Sequence, residues 1–164
     1  MVAKCRLAIF FVHRNVNQTY QLMFTKQTLL ATLLGGLTLY FLGWIFYDLV
    51  AGGYFEENAL HHIPERMDMI SIALGALIEA FVLAKVYRHW SVSKPGHFCG
   101  FEFGAWIGLF VGLGAGLVFY GTAEVHTLNT HLVDAAWNIV YYGFTGLMIA
   151  WGYGLVSKKE TATD

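Results

Sequence analysis

Charge is scarce in this chain. Charged side chains make up 13% of its 164 residues, against about 25% in soluble domains, which excludes a surface solvated by ions all round. Two cysteines, Cys5 and Cys99, are too few for a disulfide-stapled secreted scaffold or a four-cysteine zinc site. The only prolines are Pro64 and Pro95, so nothing breaks the long apolar runs. A net charge of -1 leaves no basic footprint for nucleic acid. The chain lacks H-E-x-x-H, G-x-S-x-G, a phosphate-cradling glycine loop and C-x-x-C, which argues against an enzyme. No histidine falls in the central part of an apolar run, so a haem held between paired histidines has no ligands. No cofactor is expected. What the chain does have is apolar surface, 57% hydrophobic and 16% aromatic residues, with a mean hydropathy of +0.53. That is the composition of a membrane protein.

A bilayer core about 30 Å thick takes roughly 20 apolar residues per helix, and four stretches qualify: Gln27 to Leu49, Met69 to Tyr87, Phe101 to Thr122 and Val133 to Val156. Because lipid satisfies no peptide group, these runs read as continuous α-helices. The expected fold is all-α, a compact four-helix transmembrane bundle over 23–156, with an arm at 1–22 and a cytoplasmic tail at 157–164. The arm lies on anionic lipid through Lys4, Arg6 and Arg14, or translation begins at Met23 and the arm is not native. Nine of the ten basic residues fall on one side of the spans, and Arg66 alone on the other. By the positive-inside rule both termini face the cytoplasm. Trp44, Tyr47, Tyr54, Tyr120 and Trp137 then mark the outer interface, and Tyr87, Trp90, Trp106, Trp151 and Tyr153 the inner one.

The third stretch spaces Gly104, Gly108, Gly112 and Gly116 four residues apart. Such a stripe lets another helix approach closely at about -40°, either within the chain or across a dimer. The segment Gly43-Trp44-Ile45-Phe46-Tyr47 echoes Gly116-Leu117-Val118-Phe119-Tyr120, which raises the reading of two duplicated hairpins related by an axis along the membrane normal. Glu79, the one charged-type residue between the end turns of the four spans, stands near the middle of the second. An acid there carries an insertion cost of about 2.5 to 3.5 kcal/mol and is expected to face the bundle. Thr38, Tyr40 and Thr145 lie at similar depth and are its expected partners. Glu79 either fixes helix register through such a bond, or relays a proton or cation, or recognises a cationic substrate. In the outer loops His61, His62, His126 and His131 accompany Glu56, Glu57, Glu65, Glu124 and Asp134. Imidazole with carboxylate suits a transition metal, but no two of these histidines have i,i+4 spacing, and loop residues that titrate with external pH are the plainer reading.

Leu42-Gly43-Trp44-Ile45-Phe46-Tyr47-Asp48, Tyr120-Gly121-Thr122, and Leu132-Val133-Asp134 through Asn138 together resemble small four-helix bacterial membrane proteins built on a domain of unknown function. The resemblance covers Met23 to Leu155. It implies four spans in a bacterial inner membrane and carries over no active residues. The leading functional expectation is a non-enzymatic accessory or structural subunit that packs against itself or other membrane proteins. The alternatives are a small proton- or cation-coupled transporter or channel centred on Glu79, and metal or pH sensing by the outer histidines and acids. The expected partners are the lipid bilayer and a second copy or other membrane subunits.

Overall fold

The computed structural model describes residues 25–60, 68–91, 97–123 and 125–160. The arm at 1–22, His61, His62, Glu65 and Glu124 lie outside the described residues. Four helical spans are long and apolar enough to cross a membrane: Lys26–Val50, Met69–Trp90, Phe98–Thr122 and Leu128–Val156. Among the described residues there is no strand, only an isolated antiparallel bridge between Ala59 and His126 that ties the two loops at one end together. We call that end the Asp134 end and the opposite one the Thr28 end.

The first span is α1 (Lys26–Trp44) followed by a π-helical stretch, Ile45–Val50. A short α2 (Gly52–Glu57) leaves it at the Asp134 end. The second span is α3 (Met69–Trp90). The third runs as α4 (His97–Gly108), a π stretch over Leu109–Ala115, and α5 (Gly116–Thr122). The fourth is one helix, α6 (Leu128–Glu160). Side-chain caps start three of them, and that of α6 is Thr127, whose Oγ1 accepts from Thr130 N at 3.4 Å. Thr25 Oγ1 accepts from Thr28 N at 3.2 Å, and Asp68 accepts from the amides of Ile70 and Ser71. Each cap satisfies a donor that the first turn would leave bare. The hydroxyl of Ser71 also donates to Asp68 Oδ2 at 2.7 Å, and together these bonds hold the Asp68 carboxyl below its ordinary range.

The two π stretches correct the expectation of continuous α-helices. A π turn admits one extra residue and moves the following side chains out of α phase. In the first span that places Phe46 flat on Trp137 of α6, with ring centroids 4.1 Å apart and planes 9° from parallel. In the third span it ends the glycine stripe. A Cβ at Gly104 or Gly108 would overlap the carbonyl oxygen of Tyr142 or Asn138, and one at Gly112 would stand 2.8 Å from Ala135 Cα. At Gly116, past the π stretch, the nearest atom is 3.9 Å away, and it belongs to Val111 in the same span. Three glycines of the stripe therefore lie against the backbone of α6, and the fourth has rotated off that face.

Helix α6 occupies the centre. It packs along the first and third spans, while α3 packs chiefly on α1. Small residues set these contacts, as lipid-embedded helices require: Gly35 meets Ile149 and Ala80, Gly36 meets Leu77, and Gly152 meets Ala31. The core gathers Leu39, Ala80, Leu83, Tyr87, Phe103, Tyr142 and Ile149. The second and third spans hardly touch. They meet at the Thr28 end, where Phe103 packs on Tyr87 and Trp90. A twofold arrangement of repeated hairpins would pack the third span on the second as the first packs on the fourth, and the contacts do not follow that pattern. Large apolar side chains line the exterior, with Ile70 74% and Phe110 70% exposed, which suits a surrounding of lipid.

Candidate functional site

A furrow of about 390 Å³ lies between the first and second spans, with Tyr141 of the fourth on its wall. Gly75 lines it, and a Cβ there would meet nothing within 4 Å. Glu79 and Tyr141 line the furrow at its deep end, and Asp48 and Trp44 line it toward the Asp134 end. Toward the Thr28 end the core closes over buried Ala80, Leu83, Ala84 and Tyr87. There Tyr153 OH lies 3.0 Å from Ala84 O and 3.3 Å from Thr28 Oγ1, joining the fourth, second and first spans.

Glu79 is the eleventh of the 22 residues of its span. Its side chain is exposed within this single chain, contrary to the expectation that it faces inward, because the third span stands away from the second. Its hydrogen-bond partner is Tyr142, whose hydroxyl donates to Glu79 Oε2 at 3.1 Å. The expected partners are engaged elsewhere. Thr38 donates to Leu34 O at 2.8 Å and Thr145 to Tyr141 O at 2.9 Å, each closing on the carbonyl four residues back, as helical threonines readily do. Tyr40 reaches the Met69 sulfur at 3.6 Å. Tyr142 is the fifteenth of the 29 residues of the fourth span, so matching depth across that span is the signal that finds it. Its neighbour Tyr141 donates to Leu39 O at 2.8 Å, which pins the fourth span to the first beside the furrow.

A second, wider cleft of about 910 Å³ lies at the Asp134 end, between the loops and the third and fourth spans. It is lined by His126, His131, Asp134, Glu56 and aromatic rings including Phe55 and Phe119. Tyr47 lines both cavities. Its hydroxyl donates to Asp134 Oδ1 at 2.5 Å, while Asn138 Nδ2 donates to Asp134 Oδ2 at 3.0 Å and to Asp134 O at 2.9 Å. The rings of His126 and His131 stand 6.1 Å apart. Burial, and then the neighbouring His131, push the His126 pKa down, with Asp134 opposing them. His131 Nε2 is buried without a partner. Among the described residues no three His, Cys, Asp or Glu side chains group closely enough to hold a metal ion; His61 and His62 lie outside them.

The third and fourth spans thus consume the glycine stripe within the chain at Gly104, Gly108 and Gly112. A mid-span acid, a tyrosine bonded to it and a one-sided furrow stand together, in an arrangement suited to holding a cation. Compared with known protein families, curated proteins and solved structures, the chain matches none.

Proposed function

We propose that this chain is a small integral membrane protein that carries a proton or another cation along a path through Glu79. The single observation that supports this most is the place of Glu79. Its carboxylate stands at mid-span at the closed end of a furrow, bonded to Tyr142, with a packed core beyond it. Intramembrane acids that face a cavity commonly serve ion or proton pathways. On this reading the basic residues, by the positive-inside rule, favour the Asp134 end outside and both termini in the cytoplasm, and the resemblance to small bacterial four-helix proteins favours a bacterial inner membrane. In this orientation the furrow leads from the outer side to Glu79, with the packed core toward the inner side. The subunit reading draws on the glycine stripe and the aromatic belts; the first three members of the stripe are occupied inside the chain, so that part of its support is weaker.

In proteoliposomes the parent protein dissipates an imposed proton or cation gradient, Glu79→Gln abolishes this flux, and Tyr142→Phe reduces it, with both variants eluting as the parent does in detergent. A parent protein with no flux under any gradient, or a fully active Glu79→Gln, contradicts the proposal.

A further inference from the structure

The furrow also carries information about the cation it accepts. Resting on the reading of Glu79 as a cation site, we propose that the furrow binds an organic ammonium ion, its charge against Glu79 and its alkyl or aryl body between Trp44, Tyr40 and Tyr141.

Four features argue for this class. The ionisable carboxyls on the lining are Asp48 and Glu79, and no basic side chain lines it, so the lining favours a cation over an anion. A hard inorganic cation bound without its water needs about six oxygens at close range. Here the carboxylate of Glu79 and the hydroxyl of Tyr142 are joined at 3.1 Å, and Tyr141 OH is committed to Leu39 O. Most of the other lining is carbon: Leu39, Ile72 and Ala76, with glycine at 43 and 75. Such walls cannot replace the hydration of a small ion, but they remove the apolar surface of an organic one from water. Aromatic faces along the furrow add attraction for an ammonium group. Its volume, about 390 Å³, falls in the range of small-molecule sites, roughly 300 to 1,000 Å³.

The test is calorimetric titration of 2-phenylethylammonium chloride into the full-length protein in mild detergent. The expected result is saturable binding that potassium chloride at the same concentration does not displace. Glu79→Gln weakens it about tenfold or more, as loss of a charge-assisted bond does. Gly75→Leu abolishes it by filling the furrow from a position where a Cβ has open space, and so tests the cavity without touching the acid. Absence of saturable binding, equal binding by both variants as expected of partition into micelles, or equal competition by potassium overturns the inference. Flux through Glu79 without ammonium binding refutes the ligand class and leaves the cation path standing. Binding without flux of any kind refutes the path and leaves the ligand site.

Discussion

Tyr47 donates its hydroxyl to Asp134 Oδ1 at 2.5 Å across 87 residues of chain, and the same tyrosine forms a wall of both the furrow and the wider cleft. The bond therefore joins the π stretch of the first span to the start of the fourth and sets the partition between two cavities. Asn138 holds the other carboxylate oxygen, so Asp134 is fixed from its own helix before Tyr47 reaches it.

Tyr47→Phe and Asp134→Ala are expected to destabilise the protein non-additively. The coupling in a double-mutant cycle is about 1 kcal/mol, the usual net size for an intramolecular hydrogen bond. Reversible unfolding in detergent measures it. Strict additivity of the two losses would show that the bond ties nothing together.

The glycines of the third span separate by position. Gly108→Leu places its side chain into the Asn138 carbonyl and is expected to cost about 3 kcal/mol or more through overpacking against backbone. Gly116→Ala, with no atom nearer than 3.9 Å to the added Cβ, is expected to leave unfolding unchanged. A stripe that serves a partner would instead make Gly116→Ala disturb oligomer size, which light scattering in detergent reads.

Threonine and tyrosine at mid-span are expected to behave differently. Thr38→Val and Thr145→Val remove hydroxyls that bond only to their own helix and leave flux through Glu79 within about twofold, since such back-bonds contribute little to stability. Tyr142→Phe removes the donor to Glu79 and lowers flux by about tenfold. Equal effects at all three positions would remove Tyr142 from the path.

The low pKa of His126 fixes the sign of one pH effect. Its folded-state pKa lies below the unfolded value of about 6.5, so the unfolded chain binds the proton more readily. The stabilisation is present above that pH and is lost as pH falls through the folded value. Thermal unfolding in detergent between pH 8 and 5 is expected to show a fall in stability on the acid side that His126→Gln flattens. An unchanged slope in the variant contradicts the assignment.

The spans are legible in the sequence because lipid demands long apolar helices and tolerates little else. Gln27 to Leu49 as read and Lys26–Val50 as found differ by one residue at each end. Glu79 is legible for the same reason, as an acid where acids are costly. Its partner is less so. Thr38 and Thr145 share its depth, but each hydroxyl has a carbonyl of its own helix closer at hand, whereas a tyrosine must project away from its backbone and so reaches Glu79. The π stretches are set by tertiary contact, notably Phe46 stacked on Trp137, and no periodicity marks them beforehand. The furrow follows from the second span packing on the first and away from the third, which apolar composition leaves undetermined.

On the proposed function, Glu79 is reached from the outside along the furrow. Glu79→Cys in a Cys5→Ser, Cys99→Ser background, treated in sealed right-side-out and inverted vesicles with a membrane-impermeant thiol reagent, tests this access. Labelling is expected in right-side-out vesicles, blocked by Gly75→Leu, and protection in inverted ones. Labelling only from the cytoplasmic side, or from neither, would contradict it.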